Sequence, residues 1–215
     1  KLDLNAPVGT YLKDYPNPAV ASKVTVRHLL THTGGTGDIF GPEFQRKRLE
    51  LKTLSDYVEL YGKREPEFEP GSQFRYSNYG YLLLGVIIEA VSGQSYYDFV
   101  REHVFKPAGM TRTDSRPESE HVSDRAVGYM RREGKLMPNT DTLPWRGTSA
   151  GGGYSTAGDL RKFATALLDG KLLKKETLAE ATRAHKNGYG YGFGIQGGSW
   201  GHSGGAPGMN GDLKV

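Results

Sequence analysis

Between residues 20 and 120 the apolar positions recur at helical spacing, and after residue 121 they alternate with glycine and polar residues in the manner of strands. A short helix is expected over Val26–Leu30, capped by Thr25 and closed by Gly34. A second runs from Leu54 to about Tyr61. The strongest pattern follows Ser77 or Asn78, runs from Tyr79 to Val91 and stops at Gly93, whose lack of a Cβ suits a left-handed C-cap. It is apolar nearly all round, so burial on most sides is expected. Ser95 then caps a helix from Tyr96 to Val104, ended by Pro107.

The second part reads differently. Ala126–Met130 and Lys135–Met137 flank a Glu133-Gly134 turn and predict a hairpin. Thr156 caps a helix from Ala157 to Asp169, with Gly170 behind it. Tyr189 to Ile195 alternates with glycine at period two, which predicts a strand with one bare face. A glycine-rich turn leads to a last strand at the C-terminus. Helices first and strands afterwards give an α+β fold: a helical region over about 20–120, then hairpin, helices and sheet over about 121–215. No repeat or linker divides the 215 residues, so one domain is expected.

Composition narrows the field. With 36% hydrophobic and 24% charged residues the chain is globular rather than disordered. A net charge of +4, with Arg46-Lys47-Arg48 followed by Glu50, reads as a solvated helix face and argues against nucleic-acid binding. There is no cysteine, hence no disulfide, thiolate nucleophile or thiolate metal site. The longest apolar run, Leu82–Ile88, is too short to span a membrane. Both ends read as cut, with Asp212–Val215 a strand under way.

Four constellations could carry chemistry. Tyr76 and Asn78, two residues apart on a helix-entry loop, can both face one cleft: the phenol could move protons if cations lower its pKa, and the carboxamide could hold a substrate amide. The alternative is that Ser77 or Asn78 merely caps the helix. Gly201–Gly208 lets backbone approach a ligand, with His202 at its rim; the alternative is a loose hairpin loop. Gly147–Gly151 and Gly201–Gly205 match G-x-S-x-G, but Ser149 has a poor strand before it and Ser203 lacks a following helix. His28 and His32 lie four apart, a metal-binding spacing with no evident third ligand, and read better as helix-end residues bonded to backbone.

Five blocks then resemble the serine β-lactamase-like superfamily of class C β-lactamases, penicillin-binding D,D-peptidases and related esterases. Val24–Gly35 is similar to its TVRHLLTHTSG stretch, and Tyr76-Ser77-Asn78 with Tyr81–Gly85 to its Y-x-N motif and helix. Phe105–Thr111 and Gly151–Leu160 resemble its P-L-G-M-T and AGGLYSTARDL blocks, and His202-Ser203-Gly204 falls where it has K-T-G or H-x-G.

The resemblance implies acyl transfer through a Ser in an S-x-x-K motif, with no metal or cofactor. Tyr76 would shuttle protons, Asn78 would orient the substrate amide, and His202 would replace the K-T-G Lys. Ser203, Gly204 and Gly205 would bind substrate, the Gly205 N–H serving the oxyanion. No S-x-x-K occurs here, and Thr10–Lys13 is no substitute. Lys1–Val8 resembles the stretch that follows that motif, so the nucleophile is expected upstream of Lys1 and this chain alone is expected to be inactive. An imidazole at 202 is mostly neutral at pH 7 where Lys is a full cation, which favours small-molecule or peptide substrates of esterase or peptidase type over efficient β-lactam turnover. The rivals are a non-catalytic module that binds peptidoglycan or peptide, and an α/β-hydrolase using Ser149. A periplasmic or secreted location follows from the resemblance alone, and the oligomeric state stays open.

Overall fold

The computed structural model describes residues 2–215. Its amino-terminal part is a series of short helices, α1 (Val8–Tyr11), α2 (Pro18–Lys23), α3 (Val26–Leu30), α4 (Pro42–Lys47) and α5 (Leu54–Tyr61). Side chains of Asn17, Thr25 and Thr53 accept the third backbone N–H of α2, α3 and α5, satisfying donors the helix itself leaves free. The periodicity missed α1, α2 and α4, which at four to six residues are too short to display it.

Helix α6 (Asn78–Ser92) is the long element of the core. Ser77 caps it by accepting the Gly80 N–H at 2.9 Å, and Gly93 closes it at φ 69°, a left-handed conformation that costs glycine nothing. Tyr79, Leu82, Leu83 and Ile87 are buried with Val8, Val26, Leu29, Leu54 and Tyr57, each large side chain worth roughly 1.5–3 kcal/mol. The helix is not buried all round, since Val91 stands 49% exposed near its end. At Gly85 an added Cβ would lie 2.3 Å from Ser149 Oγ and 2.7 Å from Leu54 Cδ1, so the absent side chain lets the 147–153 loop and α5 close onto the helix.

The helix starting at Tyr96 departs from expectation at its far end. After α7 (Tyr96–Val100) the chain widens into a π-helical turn, Arg101–Phe105, and continues as α8 (Lys106–Ala108) to Gly109 at φ 71°. Pro107 does not stop it: it follows the π-helical turn directly, and the chain stays helical to Ala108.

Strands β1 (Tyr129–Arg132) and β2 (Lys135–Pro138) form the expected hairpin, starting later than Ala126. Glu133 and Gly134 both have positive φ, 48° and 78°, the backbone of a two-residue hairpin turn. Helices α9 (Ala157–Leu168) and α10 (Lys175–Ala181) follow. The chain ends in an antiparallel sheet ordered β3 (Gly194–Gln196), β4 (Ser199–Ala206), β5 (Met209–Lys214).

Two sequence expectations change here. Tyr189–Ile195 is not a continuous strand: Gly192 takes positive φ and Tyr189 bridges back to Gly194, so the ladder starts at Gly194. Conversely, Ser199–Ala206 is strand rather than loop, its glycine-rich backbone held by pairing along its length to β5. The outcome is an α+β chain in which α6 and β4 face each other across a cleft of about 2410 Å³.

Candidate active site

Ser77 is the hinge of the first motif. Its Oγ caps α6, donates to the Gly37 carbonyl and meets Thr36 Oγ1 at 3.0 Å, fixing the helix start to the 33–38 loop. Capping and a site role are therefore compatible: Ser77 is the cap, and its neighbours are free to project. Tyr76 reaches the cleft with 42% of its surface exposed. Asn78 Nδ2 lies 3.1 Å from both oxygens of Asp38. An amide next to a carboxylate must present its NH2, so its Oδ1 is turned the other way as a free acceptor.

Across the cleft, His202 Nε2 lies 3.4 Å from Tyr76 Oη. His202 comes from β4, whose register follows from one contact. Trp200 and Val215 exchange both backbone hydrogen bonds, at 2.9 and 2.8 Å. Since such pairs alternate along an antiparallel ladder, His202 and Gly204 bond to β5 while the N–H groups of Ser203 and Gly205 point away from it. Beyond Gly201 that outer edge has no strand partner among the described residues, because β3 pairs only as far as Gly201. Gly205 thus offers an unpaired N–H, as an oxyanion donor requires. Side chains alternate too, so Ser203 leaves the opposite face of β4 from His202. Gly204 has open space where a Cβ would be.

Behind Tyr76 lies an aromatic cluster around His32. The His32 ring is 4.1 Å from Tyr76, 4.8 Å from Tyr81, 4.7 Å from Tyr189 and 6.0 Å from Phe74, centroid to centroid. Burial, then the nearby His202, pushes the His32 pKa down to about 4, so the ring is neutral at pH 7. Burial and the charge of Asp38 push the Tyr76 phenol up. The sequence expectation of a phenol lowered by cations is thus not met among the described residues: Tyr76 rests protonated.

The remaining candidates take ordinary structural places. His28 and His32 spend Nδ1 on backbone N–H groups, those of Thr25 at 3.2 Å and Ser77 at 3.1 Å. No cluster of three or more metal-ligating side chains occurs among the described residues. Ser149 has no elbow: Thr148 and Gly151 bridge in a tight turn before any helix, and α9 starts only at Ala157. Its Oγ, half-buried, points to the Leu82 carbonyl at 3.4 Å. Ser203 sits within a strand. Sequence reasoning missed Asp38, Tyr81 and Tyr189, while its reading of His28 and His32 as residues bonded to backbone holds. Only His32 left a signal, its spacing from His28.

Comparison with known proteins gives this geometry a context. The Beta-lactamase family model matches residues 1–211. A Bacillus subtilis relative named penicillin-binding protein PbpX is 35% identical over 98% of this chain and 51% of its own length. A penicillin-binding protein from Bacillus halodurans superposes with a TM-score of 0.89 at 32% identity, covering 99% of this chain and 70% of that one. A D-stereospecific amidohydrolase from Streptomyces gives a TM-score of 0.79 at 28% identity, covering 100% and 71%. The chain spans about half the length of the curated relatives it matches.

Proposed function

This chain belongs to the β-lactamase family, and from that premise we propose that it supplies the proton-transfer and substrate-holding half of a serine acyl-hydrolase. The observation that carries the proposal is the convergence of Tyr76 and His202, 3.4 Å apart, beside the unpaired edge of β4. The 215 residues contain no S-x-x-K, and on this reading the nucleophilic Ser and its Lys lie elsewhere in the protein. These residues on their own are inactive.

In the reaction the Ser Oγ forms a bond to the substrate carbonyl carbon while the bond to the leaving nitrogen or oxygen breaks. The Ser proton passes through Tyr76 to the leaving group, and water then splits the acyl-enzyme into free acid and Ser. A protonated resting Tyr76 is poised to donate to the leaving group. Accepting the Ser proton needs a cation beside it, the part the motif Lys would play. Asn78, pinned through Nδ2 by Asp38, offers Oδ1 either to that Lys or to a substrate N–H. The Gly205 N–H, with the Ser's own N–H, holds the oxyanion.

The substrate reading favours esters and peptides over β-lactams. Family members with Lys in place of His202 have a full cation for a substrate carboxylate, and here Asp38 adds negative charge on the Tyr76 side. Phe40, Phe74 and Trp200 line the cleft and suit an apolar acyl group. A cell-wall peptide substrate would call for a periplasmic or secreted location, which the penicillin-binding relatives support. Among the described residues no helix is long and apolar enough to cross a membrane.

Steady-state kinetics of the intact protein on nitrocefin and short p-nitrophenyl esters test the reading. Turnover with kcat/KM higher for esters supports it, and a strong preference for nitrocefin counts against the substrate assignment. A non-catalytic binding module would bind penicillin reversibly and turn over neither compound.

A further inference from the structure

We infer that His32 is a positioning residue for Tyr76, an inference that rests on the proton-transfer role proposed for that phenol. Three consecutive residues are held by this one side chain and its peptide. The His32 carbonyl accepts the Arg75 N–H at 2.9 Å. Its Nδ1 accepts the Ser77 N–H at 3.1 Å, a contact made across 45 positions of sequence. Between those two bonds the ring lies 4.1 Å from the Tyr76 ring, tilted by 34°. The phenol is thus gripped on both flanks of its backbone and against one face.

Tyr76 needs such a grip. Among the described residues its hydroxyl meets only His202, at a long 3.4 Å, and the ring is 42% exposed. Nothing at its tip fixes where the proton sits, so the backbone and the stacked ring must do so. A reacting group displaced by about 1 Å can lose on the order of 100-fold in rate.

His32 is built for holding rather than for chemistry. It is 1% exposed and takes φ 54°, a left-handed conformation unfavourable for a non-glycine residue. The Thr33 N–H to His28 carbonyl bond, at 2.9 Å, and the Gly71 N–H to Thr33 carbonyl bond, at 2.8 Å, keep the chain in that shape. Because Nδ1 accepts, the ring proton is on Nε2, which is buried with no hydrogen-bond partner among the described residues. The Ser77 bond is therefore the hydrogen bond that orients the ring, within the packing of Tyr76, Tyr81, Tyr189 and Phe74. A protonated ring would turn a second N–H donor towards that of Ser77, so the grip requires the neutral form that burial enforces.

The test compares His32→Ala and His32→Asn in the intact protein. Asn tolerates a left-handed φ and can aim Oδ1 at the Ser77 N–H, but it lacks the ring. The expected result for His32→Ala is a kcat lowered by about 30–100-fold with KM within about 3-fold, and faster hydrogen exchange at the Ser77 amide. His32→Asn should recover Ser77 protection and bring kcat to within about 10-fold of the parent. Wild-type kcat in a folded His32→Ala protein whose Ser77 amide has lost protection overturns the inference. Should His32→Ala not fold, His32→Asn decides: protection at Ser77 with kcat still down by more than about 100-fold counts against it. Should the wild-type protein turn over no substrate, the acyl-transfer reading fails by itself. The Ser77 amide and Tyr76 ring resonances then judge the grip: shifted by Ala and restored by Asn for it, unmoved in both against it.

Discussion

Tyr76 Oη and His202 Nε2 stand 3.4 Å apart although 126 residues separate them, one at the mouth of α6 and the other on β4. Tyr189 links the two, its ring centroid 4.7 Å from His32 and 6.3 Å from His202. On the proposed function, the pair would join a proton carrier to the strand whose edge would hold an oxyanion.

Removing the phenol oxygen isolates its role. Tyr76→Phe keeps the ring against His32 and deletes only the group facing His202. The expected outcome is a kcat lowered by about 10²–10⁴-fold with the melting temperature unchanged, measured on ester substrates and by thermal scan of the intact protein. A kcat within 3-fold of the parent's, by the same assay, would remove Tyr76 from the chemistry.

On the proposed function, the imidazole at 202 should set substrate preference. His202→Lys places a permanent cation beside the cleft, and the ratio of kcat/KM for nitrocefin to that for an ester should rise by about 10-fold, the worth of one modest ionic contact of about 1.4 kcal/mol. An unchanged ratio would show that residue 202 does not read the substrate's charge.

Asn78→Asp should introduce a pH dependence of stability. It replaces an amide bonded to Asp38 at 3.1 Å with a second carboxylate. Two carboxylates at that distance cannot both ionise freely, so one pKa of the pair rises above its unfolded value. A raised carboxyl pKa means that the native state holds its proton more tightly than the unfolded one. The variant is therefore least stable at neutral pH, by about 1–3 kcal/mol, and regains stability as pH falls through the raised value. Denaturant melts of parent and variant at pH 7 and pH 5 check the sign.

His32 should leave a trace in the acid limb of stability. Its folded pKa of about 4 lies below the ordinary 6.5, held down by burial and by His202, with Tyr76, Tyr81, Tyr189 and Phe74 as its other facing groups. Between those values the unfolded chain takes up a proton that the native state refuses. Stability is thus fully present above pH 6.5 and lost as pH falls towards 4, by up to about 3 kcal/mol. His32→Asn should flatten that slope by about 1 kcal/mol per pH unit; equal slopes would place the acid sensitivity elsewhere.

What the sequence made legible follows from the range of each signal. Thr25, Ser77, Ser95 and Thr156 marked helix starts because a cap acts within three residues, and Gly93 and Gly170 marked ends for the same reason. Strand β4 was hidden because its glycines carry no periodicity, and only pairing with β5 reveals it. Tyr76, Asn78 and His202 were singled out through their motifs, and the structure brings Tyr76 and His202 within 3.4 Å. Asp38 and Tyr189 were not, since their partners Asn78 and His32 lie 40 and 157 positions away and no local pattern signals a contact made only in the fold. His32 and His28 share a helical spacing, yet each ring turns to its own backbone partner, a choice that spacing cannot express.

The most direct measurement is the intact mass of the whole protein after incubation with benzylpenicillin, followed by peptide mapping of any adduct. The account predicts a covalent acyl adduct on a Ser of an S-x-x-K motif outside these 215 residues, formed far more slowly in Tyr76→Phe. Reversible binding with no mass gain, or an adduct on Ser149 or Ser203, would contradict it.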